Sequence, residues 1–247
     1  LIDSADFVSC SQRAYLKQYD VLGDIKEGGT FLLNTPWKAD EIEEKLPAGI
    51  KKELHDKKIN FYIINALGIA EEVGLGNRTN MIMQAAFFKL ANVLPIDQAI
   101  SLLKDSIAKT YFKKGENIVR INKEAVDLSL SSLIQVEVKS SWGNEGEESV
   151  SSEDLPTFIK NVCAPMNAQK GDDIPVSAFI GREDGHFPLG TSAYEKRGIA
   201  NKVPRWIAEK CIQCNQCSFV CPHSVIRPFL LDDEERKGFK GIMVEAK

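Results

Sequence analysis

GGTFLLN, Gly28 to Asn34, decides how the first half of the chain is read. Two glycines open it and Asn34-Thr35-Pro36 closes it, so the apolar run between reads as a strand bounded by turns. Two runs of the same kind flank it. SADFVSC (Ser4 to Cys10) reads as a short buried strand, and INFYIINA (Ile59 to Ala66) as a third, rich in β-branched and aromatic residues. AYLKQYDVL (14–22) between the first two reads as a helix or helical turn. KADEIEEKL (38–46) carries acidic residues early, where the positive end of a helix dipole favours them. Strands alternating with helical segments predict parallel pairing and an α/β fold class.

Beyond this the pattern turns helical. RTNMIMQAAFFKLANVLP (78–95) is nearly all apolar and predicts a buried helix stopped by Pro95. In IDQAISLLKDSIAKTYFKKG (96–115), Ile96, Ile100, Leu103, Ile107 and Tyr111 recur at three- and four-residue steps, one helix face. Lys113 and Lys114 lie in its last turn and Gly115 closes it. ENIVRINKEAVDLSLSSLIQVEV (116–138) reads as a further amphipathic helix. SSWGNEGEESVSSED (140–154) is polar and reads as linker, Leu155 to Val162 as one short helix, and the remainder to Val203 as an extended connector. The expected organisation is an α/β domain over 1–138, a connector over 139–203, and a cysteine module over 204–247, with GIMVEAK (241–247) as a short strand.

The module is KCIQCNQCSFVCP, Lys210 to Pro222. Cys211, Cys214, Cys217 and Cys221 follow one another at two-, two- and three-residue gaps, with a proline after the last. This is the run that holds a 4Fe-4S cluster in bacterial ferredoxins, where the fourth cysteine serves a second cluster. Soft thiolates suit iron–sulfur, and Ile212, Phe219, Val220 and Ile226 are placed to cover the cluster. A zinc site more often uses two separated cysteine pairs. The other two cysteines, Cys10 and Cys163, lack companion spacing. Cys10 reads as a buried inert thiol, and His186 and His223 as structural. GLGNRTN (74–80) reads either as an anion-binding helix start or as a turn between helices with Asn77 or Thr79 capping. DDEERK (232–237) reads as a solvated loop.

Totals set outer limits. The chain has 247 residues, 43% hydrophobic and 27% charged, with a formal net charge of −4. Basic residues are scattered, so no nucleic-acid partner is expected. No apolar run approaches a membrane span and no signal peptide is recognisable, so a cytoplasmic protein without membrane contact is expected. The first residues are Leu1-Ile2-Asp3 rather than Met, which suggests processing or a piece of something longer.

The residues go further than composition. YEKRGIA (194–200), CIQCNQC (211–217), FVCPH (219–223) and IRP (226–228) resemble the ferredoxin-like segment of the pyruvate:ferredoxin (flavodoxin) oxidoreductases. ADFVSC, YDVL, GGTFLLN, GLGNRTNMIMQAAFFKLANVLP and YFKKGE resemble that family's gamma-type domain. The resemblance runs from end to end. It implies a parallel-sheet gamma-type α/β domain, an irregular linking domain and a partial ferredoxin-like α+β module. It implies a parent enzyme, a homodimer, that decarboxylates pyruvate on thiamine diphosphate with magnesium. That parent acylates coenzyme A and passes electrons through 4Fe-4S clusters to ferredoxin or flavodoxin. Thiamine-binding motifs, the glycine-rich start of the gamma-type domain and a second cysteine run are not in this sequence. The chain is therefore expected to supply electron-relay and scaffold parts and not to be catalytic alone. Asn122 falls where the family places a residue near coenzyme A, and equally suits an ordinary helix-surface or capping asparagine. Two other readings stand beside this one: a free-standing iron–sulfur electron-transfer subunit, and a zinc-stabilised interaction module.

Overall fold

The three apolar runs are strands. The structure, a computed structural model, describes all residues except 1, 3, 147–154, 169, 196–197, 201–202 and 247. The described chain divides into two compact units, Leu1–Ile199 and Ala200–Lys247. In the first, β1 (Ala5–Cys10), β2 (Ile25–Asn34) and β3 (Asn60–Ile64) lie side by side in that order, all parallel. Phe31 pairs with Phe61 and Leu33 with Ile63. Successive strand side chains face opposite ways, so this register sorts the apolar residues into two layers. Phe31, Leu33, Phe61 and Ile63 enter one core with Ile42, Ile50 and Leu54. Leu32 and Ile64 enter the other with Ala66, Ile69, Ile82, Ile121 and Ala125. A parallel sheet covered on both faces needs continuous apolar runs of this kind. Phe31 and Phe61 stack with ring centres 5.6 Å apart.

Helices cover each face. α1 (Ile42–Lys45) and α2 (Ala48–Asp56) contribute Ile42, Ile50 and Leu54 to the first core. α3 (Ala66–Glu72), α4 (Asn80–Ala91) and α6 (Glu116–Ser131) cover the second. α5 (Ile96–Tyr111) lies outside, setting Leu103 and Ile107 against Ala85 of α4 and Val126 of α6. α4 buries only Ile82, Ala85 and Ala86, so it is less enclosed than its composition predicts. Of the predicted α5 face, Leu103 and Ile107 are buried, whereas Ile96 is exposed.

Two details tie the sheet together. β1 and β2 lose register between Ala5, opposite Ile25, and Phe7, opposite Thr30. The extra residues of β2 lie between Lys26 and Gly29. Gly28 takes a left-handed φ of 75° and donates its N–H to Lys57 O at 2.7 Å. A Cβ on Gly29 would stand 2.9 Å from the Lys26 carbonyl oxygen, so neither position accommodates a side chain easily. At the far end of β2, Asn34 donates Nδ2–H to Ser11 O at 3.2 Å and accepts the Ala66 N–H on Oδ1 at 2.9 Å. One side chain thus joins the carboxyl ends of all three parallel strands.

Several expectations need correction. AYLKQYDVL forms only a 3-10 turn, Arg13–Lys17. KADEIEEKL splits into a 3-10 turn, Ala39–Glu41, and the single turn of α1. The helix expected over 116–138 ends at Ser131, and Ile134–Val136 forms β4, antiparallel to β3 with Val136 opposite Phe61. The reason is tertiary: β3 needs partners for the backbone groups on its outer side, and Val136 fills the first core. α2 and α3 carried no prediction. Beyond β4 lies a 3-10 turn, Ser140–Asn144, whose Trp142 is 2% exposed inside the first core, within a stretch that reads as linker. Residues 147–154 of that stretch lie outside the described residues. The helix predicted at 155–162 appears as a π turn, Ile159–Cys163, running into α7 (Ala164–Asn167). Ala164 N–H bonds the Ile159 carbonyl five residues back, and the widened turn precedes Pro165, which has no N–H to give. Short 3-10 turns follow at Gly171–Asp173, Val176–Phe179 and Thr191–Tyr194.

The second unit contains α8 (Gln216–Phe219) and α9 (Asp233–Gly238), and none of its described residues is buried. DDEERK is α9 rather than a loop. Asp232 accepts the N–H groups of Glu234 and Glu235 at 2.9 and 2.8 Å, and Glu235 accepts the Asp232 N–H at 3.0 Å, a reciprocal capping box. Residues 242–246 form no strand, and Lys247 lies outside the described residues. No described helix is long and apolar enough to cross a membrane.

Candidate metal centre

The cysteine loop is shaped by local backbone bonds. A 3-10 turn, Ala208–Lys210, delivers Cys211, whose N–H bonds Ala208 O at 3.0 Å. Gln213 and Asn215 then adopt left-handed φ values of 58° and 57°. These two residues turn the backbone between successive cysteines, conformations that asparagine tolerates better than most side chains. Asn215 starts α8, which carries Cys217, and the Phe219 N–H bonds Asn215 O at 3.0 Å. Cys221 follows, its N–H bonding Ser218 O at 3.3 Å.

Past Cys221 the chain curls again, with Ser224 at φ 51° and its N–H on Cys221 O at 3.2 Å. The backbone N–H groups of Ile226, Val225 and His223, next along the chain, lower the pKa of the Cys221 thiol below its ordinary value. A thiolate is the metal-binding form of cysteine. Sequence reading located the sulfur but not these donors, which carry no side-chain signature.

The donor set fits an iron–sulfur cluster by its chemistry: four thiols at ferredoxin spacing. Cys211 and Cys221 are half-buried, while Cys214 and Cys217 are exposed. Among the described residues, no three His, Cys, Asp or Glu side chains converge on one point. Ile212, Phe219 and Val220, expected to cover a cluster, are exposed, and Ile226 is half-buried. The tail returns to this loop through a hydrogen bond from Gln213 Nε2 to Glu245 O.

The remaining candidates fall elsewhere. Asn122 is 4% exposed on α6, and its Nδ2–H donates to Ile118 O at 2.7 Å, one turn back. Cys10 is buried, its pKa raised by burial, and its thiol donates to Gln12 O at 3.1 Å. Burial also raises the pKa of half-buried Cys163, with the nearby Glu195 adding to the rise. His186 bonds Asp184 through Nδ1 and faces Arg182 through Nε2 at 3.3 Å. His223 is exposed. GLGNRTN is a turn between α3 and α4, with Gly74 and Gly76 at φ 84° and 64°. Thr79 occupies the N-cap position of α4 without a side-chain capping bond.

Comparisons with known proteins agree with this arrangement. Residues 1–132 match the family model described as pyruvate ferredoxin/flavodoxin oxidoreductase. Residues 144–200 match a domain of unknown function, and residues 204–227 a 4Fe-4S binding domain. The chain is 52% identical over 237 residues to the pyruvate-flavodoxin oxidoreductase of Enterobacter agglomerans, covering 96% of this chain and 20% of that protein. It is 50% identical over 239 residues to the pyruvate:ferredoxin oxidoreductase of Moorella thermoacetica, again over 96% of this chain and 20% of that one. The pyruvate-flavodoxin oxidoreductase of Klebsiella pneumoniae is 50% identical over 236 residues, 95% of this chain and 20% of that protein. The chain thus spans about a fifth of the length of the curated relatives it matches. With more than half of its length under the family model, the chain belongs to the pyruvate ferredoxin/flavodoxin oxidoreductase family.

Proposed function

We propose that this chain supplies the electron-relay and scaffold parts of a cytoplasmic enzyme that oxidatively decarboxylates pyruvate with coenzyme A and passes the electrons to ferredoxin or flavodoxin. The observation that carries the reading is the ferredoxin-spaced run Cys211, Cys214, Cys217 and Cys221, inside the segment that matches a 4Fe-4S binding domain. Cys211, Cys214 and Cys217 would hold one cluster, and Cys221 would help hold a second. A bound 4Fe-4S cluster supplies reversible one-electron transfer. The chain's own groups provide thiolate donors, and the backbone N–H groups after Cys221 favour the charged form of that sulfur.

The α/β domain over 1–138 acts as scaffold in this reading, and the connector over 139–203 leads from it to the module over 204–247. Asn122 belongs to the support of the coenzyme A surface rather than to its donors, since its amide N–H is already turned onto Ile118. Thiamine diphosphate, magnesium and the second subunit of a homodimer belong to the rest of the parent enzyme.

The test is anaerobic reconstitution of the chain with iron and sulfide. Stoichiometric iron and acid-labile sulfide, with a low-temperature paramagnetic signal on reduction, is the expected result. Cys214→Ser should abolish it. Zinc bound one per chain with no sulfide uptake would overturn the reading in favour of a zinc-stabilised interaction module.

A further inference from the structure

Residues 139–145 carry the start of the connector onto the α/β core. Trp142 sits among Ile42, Ile50, Leu54 and Phe61 in the first core. An ion pair flanks it on each side. Lys139 Nζ reaches Glu43 Oε2 of α1 at 2.5 Å, and Lys51 Nζ of α2 reaches Glu145 Oε1 at 2.6 Å. The second pair is sheltered, with the Lys51 side chain 11% exposed.

The polarity reverses along the segment. A cation of the segment meets an anion of the helices first, then an anion meets a cation. Docked in the opposite direction, Lys139 would face Lys51 and Glu145 would face Glu43. Like-charge contacts of this sort exclude wrong pairings. Between the two pairs, Gly143 lies against His55, where a Cβ would stand 2.6 Å from the ring Cε1 and Nδ1. The fit is therefore specific in direction, and it is close at Gly143.

It is also incomplete. Among the described residues, Trp142 Nε1 is the buried side-chain nitrogen left without a hydrogen-bond partner. Glu43 is the nearby acid: its carboxyl is held below the usual value first by its bond to Lys139, with Trp142 and Lys51 adding smaller pulls. An indole that gives up water without gaining a well-formed bond docks at a cost that an ordinary core residue avoids.

We propose that residues 139–145 form a clasp, a self-docking segment whose direction is set by charge and which opens as a unit while the sheet stays folded. Opening frees the first residues of the connector, the region that matches a domain of unknown function, from the helices beneath it. Closure is favoured by burial of the Trp142 ring and reinforced by the two ion pairs, which salt weakens more at the exposed Lys139 end than at sheltered Lys51.

The test uses the whole chain with Trp37 and Trp206 replaced by phenylalanine, so that Trp142 is the one indole reporter. Acrylamide quenching reads Trp142 exposure, and hydrogen exchange of β2 and β3 reads the sheet. Lys139→Glu combined with Glu145→Lys should raise quenching several-fold and shift emission to the red, with β2 and β3 protection unchanged. Adding Glu43→Lys and Lys51→Glu, which restores both pairs with reversed signs, should return quenching to the starting level. The clasp is overturned if the doubly reversed variant keeps Trp142 shielded, if the fourfold swap fails to restore it, or if β2 and β3 lose protection together with Trp142.

Discussion

The two units of this chain draw their order from different sources. In the first, Phe31, Leu32 and Leu33 are completely enclosed, and helices cover both faces of the sheet. In the second, Phe219 and Leu230 stand 93% and 85% exposed, and no described residue is buried. Apolar content does not separate them; arrangement does. The first unit places its apolar residues at strand and helix periods that close on one another. The second scatters them before, within and after the cysteine run with no period that closes a face, and a unit of roughly 50 residues seldom closes a core by burial alone. Hydrogen-bonded turns shape it locally, and metal binding is the usual source of folding energy in modules of that kind.

The contrast can be broken or sharpened in steps. Phe61→Ala empties a fully buried site beneath Phe31 and should lower the stability of the first unit by about 3–5 kcal/mol in denaturant titration. Iron uptake per chain should not change; a parallel fall in iron would show that the two sources of order are not separate. A smaller effect is expected at Ser129, whose buried hydroxyl donates to Ile82 O at 2.7 Å and joins α6 to α4. Ser129→Ala should cost about 1 kcal/mol, read as a lower melting temperature of the first unit. Asp232→Ala is the matching change in the second unit. It should cost α9 on the order of 1 kcal/mol, seen as faster amide exchange at Glu234 and Glu235 with the first unit's melting unmoved.

The smallest effect is that of mild acid. Lys58, Lys45, Lys139 and Lys52 hold the carboxyls of Glu27, Glu41, Glu43 and Asp56 below their ordinary values. A depressed carboxyl pKa stabilises the fold fully above the unfolded value, about 4 for these groups, and the contribution fades as pH falls through the lowered ones. Melting curves of the first unit should therefore hold level from pH 7 to about 5 and decline gradually below 4. A decline already beginning at pH 6 would mean that groups other than these carboxylates control it.

Much of the first unit was legible in the sequence. GGTFLLN and INFYIINA announce β2 and β3 because a strand covered on both faces needs a continuous apolar run, here Phe31-Leu32-Leu33 and Phe61-Tyr62-Ile63-Ile64. The three- and four-residue steps through Leu103 and Ile107 announce α5. β4 was not legible, since Ile134-Gln135-Val136 continues the amphipathic pattern of α6 and no glycine or proline marks the break. Only the open side of β3 makes those residues a strand. α2 was missed because charge dominates AGIKKELHD, although Ile50 and Leu54 one turn apart are enough to bury it. Trp142 lay hidden in a polar stretch because its partners are distant in sequence. At the candidate site, spacing revealed which donors are present. The left-handed turns at Gln213 and Asn215, and the N–H groups behind Cys221, belong to the backbone, which spacing does not describe.

The Asn34 side chain carries a consequence for the ageing of the protein. Its donor meets the carbonyl after β1 and its acceptor meets the N–H that begins α3. Hydrolysis of that one amide to a carboxylate would keep the acceptor and replace the donor with a second negatively charged oxygen facing Ser11 O. A slow chemical change too small to alter the size of the side chain would thus remove the side-chain tie just beyond the end of β1, its backbone ladder to β2 untouched, while leaving β2 joined to α3.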